Sequence, residues 1–176
     1  METGQNREGE STPVTIARMA VESFVRTGRF PSVAEVPQFG KEMAGCFVSL
    51  HRDGALRGCI GTILPTKECV ASEIIRNAVS SCSEDPRFDP VRPEELQDLE
   101  ISVDVLDPPE KVDSPESLDP KRFGVIVTSG VRRGLLLPDL EGVESVDDQL
   151  EIACRKAGIQ PGERYSIERF TVTRYR

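Results

Sequence analysis

The dipeptide Asp53-Gly54, which lies between two apolar runs, constrains the fold of this chain more than any other feature. A two-residue turn of type I′ needs positive φ at both positions, and Asp-Gly adopts it readily. The pattern predicts an antiparallel hairpin with strands at 46–51 and 55–63. The return strand contains Leu56-Arg57-Gly58-Cys59-Ile60-Gly61-Thr62, in which two glycines flank one thiol. Because glycine packs nothing and weakens a strand, its repeated use predicts that another group approaches this backbone closely.

The thiol of Cys59 is the candidate catalytic group of this strand. Two-residue spacing places Arg57 and Cys59 on one face of an extended strand, and a nearby cation favours the nucleophilic thiolate. A nucleophile also needs a base, and His51 is the only histidine. In a regular hairpin His51 falls on the face opposite to Cys59, so a Cys-His pair requires a bulge, which Gly58 could supply. The alternative is that Cys59 is a small core residue beneath a tightly packed helix or loop.

A second predicted hairpin echoes the first one. Residues 54–58 and 130–134 both place Arg-Gly three and four residues after a turn glycine. With a turn at Ser129-Gly130, Arg133 is expected opposite Ile126. In the same way, Arg57 is expected opposite the apolar Leu50 in the first hairpin. So short an echo is also compatible with chance.

Both arginines are therefore expected on a face that should be buried, where a guanidinium needs a partner. One reading is a salt bridge to an acid such as Asp85 or Asp89. The other is that the arginines line one pocket and grip a carboxylate or phosphate. The candidate ligand-binding residues of that pocket are Arg57, Gly58, Gly61, Arg133 and Gly134.

The five cysteines do not form a metal-binding pattern. They are widely spaced, no Cys-x-x-Cys occurs, and zinc sites need about four Cys or His ligands at close, paired spacings. Reduced and mostly buried thiols are expected. No phosphate-binding glycine loop, nucleophile elbow or metalloprotease motif is present, so neither a metal nor a cofactor is predicted.

The net charge of −8 argues against a nucleic-acid or anionic-membrane binder, since both need a cationic footprint. No apolar run approaches the roughly 20 residues of a membrane span. The first residues are polar and lack the core of a signal peptide. Residues 1–11 are predicted to form a disordered tail, residues 12–176 a single domain, and the expected location is the cytoplasm.

Three helices are predicted in the rest of the chain. Pro13 at a first helical position and Gly28 bound the first helix, residues 67–82 form the second, and Ser145 and Gly158 bound the third. Further strands are expected at 99–105, where the acids should face water, at 123–128, at 131–137 and at 165–175. The fold class is α+β, with a mainly antiparallel sheet and three packed helices.

The run Leu56-Arg57-Gly58-Cys59-Ile60-Gly61, taken with Arg133-Gly134-Leu135-Leu136-Leu137-Pro138, resembles the signature of the AmmeMemoRadiSam system protein A family, whose eukaryotic members are the AMME chromosomal-region proteins. The resemblance extends through Asp85-Pro86-Arg87-Phe88 and Lys156-Ala157-Gly158 and covers nearly everything from residue 12 onward. Two features depart from the family. Phe123-Gly124 stands where members often carry a histidine before the glycine, and tryptophan is absent.

The resemblance implies an α+β domain with a larger and a smaller lobe and a cleft near the signature. It also implies that the protein is one part of a three-part prokaryotic system, together with a Memo-like protein and a radical SAM protein. It supplies no established reaction. Three functions remain open: a cleft that binds a small anionic ligand or acts through Cys59, a non-catalytic interaction or regulatory module, and, less favoured by the charge, a nucleic-acid-linked regulator.

Overall fold

A computed structural model of the chain describes residues 9–176. They form two compact units, residues 9–105 with 173–176, and residues 106–172. Most of the predicted N-terminal tail, residues 1–8, lies outside the described residues. Within the described part, Glu10 pairs with Arg18, and the Ser11 amide donates to the carbonyl of Arg176 at 3.1 Å.

Within residues 9–176, three helices and eight strands form the fold, together with three single-turn 3-10 helices. In chain order the helices and strands are α1 Thr12–Thr27, β1 Cys46–Arg52, β2 Ala55–Thr62, α2 Val70–Ser83, β3 Leu99–Leu106, β4 Glu110–Val112, β5 Gly124–Ser129, β6 Arg132–Leu136, α3 Val146–Ala157, β7 Ser166–Phe170 and β8 Val172–Tyr175. The predicted α+β class is confirmed, and the strands divide into two four-stranded sheets.

The two sheets share a unit of three strands and differ in the chain position of the fourth. The first has the strand order β2-β1-β3-β8, and the second has the order β6-β5-β7-β4 when it is read from its own hairpin. In each sheet a hairpin is followed along the chain by a helix and then by a strand that pairs with the first strand of the hairpin. The echo between the two hairpin sequences thus coincides with a repeated supersecondary unit.

Each unit has its own apolar core. In the first unit α1 and α2 pack together and bury one face of β1 and β3; residues such as Ile16, Ile74 and Val48 are fully buried there. In the second unit α3 covers β5 and β6, with Val125, Val127 and Ala153 at the centre. Helix α2 also packs on β2, which carries Arg57-Gly58, and α3 packs on β6, which carries Arg133-Gly134. Each Arg-Gly pair therefore lies on a strand that a helix covers.

Local sequence sets the ends of the helices. Gly28, at φ 71°, and Gly158, also at φ 71°, end α1 and α3 in the left-handed conformation that glycine adopts without strain. The hydroxyl of Ser145 accepts the Asp148 amide, and the Asp148 carboxylate accepts the Ser145 amide, which completes the predicted capping box. Helix α2 begins at Val70, three residues after the predicted start, because the amides of residues 66 and 67 donate to the Glu73 carboxylate.

The predicted registers of both hairpins are wrong. The Asp53-Gly54 turn has positive φ at both positions, as expected, but a bulge makes Arg57 an extra residue, and Gly58 rather than Arg57 lies opposite Leu50. In the second hairpin the turn residues are Gly130 and Val131, so Arg133 lies opposite Thr128. A bulge and a one-residue change in turn position leave no clear trace in an alternating apolar pattern.

Two further predictions need correction. The C-terminal strand is two strands in different sheets, with β7 in the second sheet and β8 in the first. In β3 the side chain of Asp104 does not face water, because it is 5% exposed and forms a bidentate pair with Arg174 of β8. The partner comes from a strand 70 residues away, so the sequence around Asp104 does not reveal it.

Candidate functional site

Gly58 lets helix α2 lie directly on strand β2. A Cβ atom at this position would lie 2.2 Å from the backbone oxygen of Ser81. The hydroxyl of Ser81 accepts the Ile60 amide at 2.9 Å and donates to the Val48 carbonyl at 2.8 Å, so it stands between two paired residues of β1 and β2. The glycine of the signature is therefore required for packing.

The side chain of Cys59 lies on the opposite face of the first sheet. It is half-buried, and the Ser49 hydroxyl donates to its sulfur at 3.2 Å. Side chains two residues apart on a strand share a face, so His51 lies on the face that carries Ser49 and Cys59. The bulge at Arg57 produces this arrangement. As a result, Arg57 and Cys59 do not share a face of the strand, although the sequence predicted that they would.

Arg57 holds the loop that follows α2. Its guanidinium forms a bidentate pair with Glu95, at 2.9 Å and 3.0 Å, and donates to the carbonyls of Asp89 and Pro90. The two side chains are only 17% and 10% exposed. The salt-bridge reading thus describes Arg57 in this structure, with Glu95 in place of the suggested Asp85 or Asp89.

The glutamate partner gives this pair a pH dependence. The hydrogen bonds from Arg57, helped by the Arg92 amide and by Arg52, lower the pKa of Glu95 from the usual 4.5 to about 2. A folded-state pKa below the unfolded value adds stability above about pH 4.5, and this contribution disappears as the pH falls through about 2.

We therefore expect a Glu95→Gln variant to lose on the order of 2 kcal/mol at pH 7, and the gap to the parent chain to narrow between about pH 4.5 and 2. Urea unfolding, followed by circular dichroism at several pH values, measures this difference in the free energy of unfolding. An equal gap across that range would show that the pair contributes no proton-linked stability. Glu35→Gln, at an exposed arginine pair, is the control and should cost little.

A different cation stands beside the candidate thiol. The amide of Cys59 donates to the Asp85 carboxylate at 2.9 Å, and the carbonyl of Cys59 accepts from Arg87 at 3.2 Å. Arg87 also pairs with Asp85 through two nitrogens, at 2.9 Å and 2.7 Å. The side chains of Asp85 and Arg87 therefore bind the backbone of Cys59 at the free edge of β2, where another strand would otherwise pair.

The two members of this pair differ in exposure. The Asp85 side chain is 2% exposed and that of Arg87 is 55% exposed. Hydrogen bonds from Arg87 hold the pKa of Asp85 well below its usual range, so the carboxylate stays charged. Among the described residues, Nη1 of Arg87 has no hydrogen-bond acceptor, which leaves that end of a fixed guanidinium open to a ligand.

The corresponding residues of the second unit are arranged in a similar way. A Cβ on Gly134 would lie 2.2 Å from the backbone oxygen of Ala153 in α3, so this glycine too admits a helix. Arg133 donates to Glu168 at 2.9 Å on the neighbouring strand β7. Each predicted arginine thus has a carboxylate partner in its own unit, and a ligand-binding role for Arg133 or Gly134 stays a prediction.

Two cavities formed by the described residues do not include the thiol of Cys59. One, of about 490 Å³, is lined by Cys154, Tyr165 and the end of α3; the other, of about 690 Å³, by Phe39, Lys41 and Cys69. Within residues 9–176, no group of three Cys, His, Asp or Glu side chains is placed to hold a metal ion. The groups in contact with Cys59 are the hydroxyl of Ser49, the carboxylate of Asp85 and the guanidinium of Arg87.

The signature glycine Gly61 also has a packing role. A Cβ at this position would lie 2.3 Å from a ring atom of Phe47, which lies across the strand. A ligand-binding role for Gly58 and Gly61 stays a prediction, and the close contacts of both positions give them a packing role.

Sequence reasoning missed Ser49, Arg87 and Glu95 as members of this region. The spacing of Ser49 and His51 in β1 places the serine and the histidine on one face, but only the bulge adds Cys59 to them. Arg87 lies in the Asp85-Pro86-Arg87-Phe88 motif, which on its sequence alone supports only the family resemblance. Glu95 is 38 residues from Arg57 and has no local feature that marks it as a partner.

Taken together, the fold and the site define a two-unit α+β protein in which a glycine-flanked cysteine strand lies under a helix. The AMMECR1 family model matches residues 14–176. A protein of Thermotoga maritima is 51% identical over 172 residues, which cover 96% of this chain and 99% of that protein. A Clostridium acetobutylicum protein is 48% identical, and there the match covers 98% of this chain but 37% of the longer relative.

A solved structure supports the same assignment. The crystal structure of an uncharacterised protein from Pyrococcus horikoshii aligns with a TM-score of 0.82 at 34% identity, covering 92% of this chain and 88% of that one. The chain belongs to the AMMECR1 family, which confirms the resemblance in its sequence. None of the helices in residues 9–176 has the length and apolar character that a membrane crossing requires.

Proposed function

We propose that this protein acts on a small anionic molecule through the thiol of Cys59. The observation that supports this most strongly is the 3.2 Å hydrogen bond from the Ser49 hydroxyl to the sulfur. A hydroxyl that donates to sulfur stabilises the negative charge of a thiolate, which is the nucleophilic form of cysteine. The thiol is also half-buried rather than enclosed, so a small molecule has access to it.

The anionic character of the ligand follows from Arg87. This guanidinium is held beside Cys59 by Asp85, and one of its ends is unoccupied by described acceptors. A planar guanidinium recognises carboxylates and phosphates through parallel hydrogen bonds. Arg87 therefore takes the anion-binding role that the sequence assigned to Arg57, whose donors are committed to Glu95 and the adjacent loop.

The setting of this activity is proposed on the family resemblance. It places the protein in a prokaryotic system with a Memo-like protein and a radical SAM protein as partners. The five cysteines are free thiols, which suits a reducing compartment such as the cytoplasm.

The alkylating pair iodoacetate and iodoacetamide tests the proposal, because the two reagents differ mainly in charge. Each is applied to the folded chain at pH 7, and labelling of every cysteine is followed by peptide mass spectrometry. We expect the ratio of iodoacetate to iodoacetamide rates to be about tenfold higher at Cys59 than at the same cysteine in the urea-unfolded chain, since about 1.4 kcal/mol of favourable charge interaction corresponds to tenfold.

Arginine variants identify the source of this preference. Arg87→Ala should abolish it and Arg87→Lys should retain part of it, whereas Arg29→Ala, at a surface arginine paired with Glu35, should leave it unchanged. An unchanged ratio in Arg87→Ala would contradict the proposed anion site.

A second function, a non-catalytic docking module, is the alternative that the sequence left open. Such a role requires no reactive thiol. Folded protein in which Cys59 does not react with either reagent would favour it.

A further inference from the structure

His51 lies on the same face as the candidate nucleophile and is not engaged elsewhere. Strand β1 places Ser49 and His51 on one side, and the bulge in β2 brings Cys59 to that side, opposite Ser49. His51 is half-buried, and among residues 9–176 neither of its ring nitrogens takes part in a hydrogen bond. It is one position along the face from the Ser49–Cys59 pair, which is within the diagonal reach of long side chains on a sheet.

A carboxylate lies on the other side of the histidine. Glu100 of β3 is directly opposite His51 across the sheet, and its side chain is exposed. Residues directly opposite on antiparallel strands have Cβ atoms about 4.5–5.5 Å apart, so Glu100 is close enough to orient an imidazole. The face thus presents, in order across three strands, a thiol on β2, an imidazole on β1 and a carboxylate on β3.

We propose that His51 is the general base of Cys59, with Glu100 as its positioning residue, and that the pair transfers or hydrolyses an acyl group carried by an anionic molecule. This proposal rests on the proposed function of the thiol. A nucleophile, a base and a group that orients the base are the parts that covalent acyl transfer requires. Apo enzymes often hold these parts too far apart for hydrogen bonds, which form when substrate is bound.

The proposed reaction consists of two acyl transfers, and it requires neither an oxidant nor a reductant. The Cys59 sulfur attacks the acyl carbon while its proton passes to His51. Collapse of the tetrahedral adduct breaks the bond to the leaving group, which takes that proton. Water then attacks the thioester and gives a proton to His51. Cleavage of the carbon–sulfur bond releases the carboxylic acid, and the proton returns to the sulfur.

The probes are 4-nitrophenyl acetate, which is neutral, and the hemisuccinate of 4-nitrophenol, which carries a carboxylate. We expect a burst of nitrophenolate followed by slow turnover, an acylated Cys59 in the intact mass, and faster acylation by the hemisuccinate. His51→Ala and His51→Gln should lower the acylation rate about 100-fold, the low end of general-base effects. Glu100→Gln should have a smaller effect.

Chemical rescue separates a base from a structural residue. Added imidazole should raise the acylation rate of His51→Ala at least tenfold. The rate is corrected for the background reaction, which is measured with the Cys59→Ser/His51→Ala double variant. The buried thiols of Cys46 and Cys82 must stay unlabelled by iodoacetamide, which shows that each variant is folded. Both His51 variants reacting at the parent rate, or a loss that imidazole does not restore, would overturn the role of His51.

Failure of the two proposals can be distinguished. If Cys59 is neither acylated nor alkylated in the folded parent chain, the proposed function itself is wrong. If it is alkylated with the anionic preference but the histidine variants acylate normally, only the general-base proposal fails.

Discussion

Gly58→Ala is expected to destabilise the protein by about 3 kcal/mol, at the upper end of the usual cost of overpacking. The added Cβ would meet the Ser81 oxygen at 2.2 Å, and neither partner can move away cheaply, because one is a strand backbone and the other a helix backbone. The clash would also displace the Ser81 hydroxyl from its position between β1 and β2. The free energy of unfolding in urea measures the loss.

The matched control is Gly54→Asn in the turn of the same hairpin. Nothing lies within 4 Å of a Cβ at that position, and asparagine accepts a positive φ better than most residues do. We expect a cost below about 1 kcal/mol there. If Gly58→Ala proved as mild as the control, helix α2 would not lie against this strand, and the packing role assigned to the signature glycine would be wrong.

Glu73→Gln is expected to cost about 3 kcal/mol, because it leaves a buried group imperfectly satisfied. The Glu73 carboxylate is fully buried and accepts four hydrogen bonds, from the hydroxyls of Thr62 and Thr66 and from the amides of Thr66 and Lys67. An amide nitrogen in place of one oxygen would face donors rather than accept from them. The loop between β2 and α2 should loosen as a result.

Urea unfolding together with amide hydrogen exchange at residues 66 and 67 tests this prediction. Glu68→Gln, an exposed position in the same loop, is the control and should change the stability by less than about 0.5 kcal/mol. Unchanged exchange protection in Glu73→Gln would contradict the assigned role of the carboxylate.

Local features of the sequence predicted much of the fold. The Asp53-Gly54 turn, the proline and glycine that bound α1 and the capping box of α3 each depend on neighbouring residues alone, and each is present as expected. The prediction of the α+β class follows from such local assignments, because the order of strands and helices constrains their packing.

Long-range features escaped prediction. The bulge at Arg57 alters which side chains share a face, yet it adds only one residue to an otherwise ordinary hairpin. The split of the C-terminal strand between two sheets depends on pairings with strands about 40 to 70 residues earlier in the chain. An alternating pattern specifies that a strand exists but not its partner.

The candidate site shows the same division. The sequence predicted Cys59 as the candidate thiol, which stays a prediction, and it predicted that a Cys59–His51 pair would require a bulge, which is present. It assigned the adjacent cation to Arg57, because two-residue spacing assumes a regular strand, whereas the structure places Arg87 there. The partners of both arginines, Asp85 and Glu95, depend on how the loop after α2 folds back on β2, which no local pattern specifies.

The most direct test of a reactive thiol at Cys59 is the rate at which iodoacetamide labels it in the folded chain at pH 7. This rate is compared with the labelling rates of the other four cysteines. Burial raises the pKa of Cys46 and of Cys82 to about 12, so these two thiols should remain unlabelled until the chain unfolds. We expect Cys59 to react at least tenfold faster than the half-buried Cys69 and Cys154. Labelling of Cys59 only on unfolding, together with Cys46 and Cys82, would contradict the claim that this signature holds a reactive thiol.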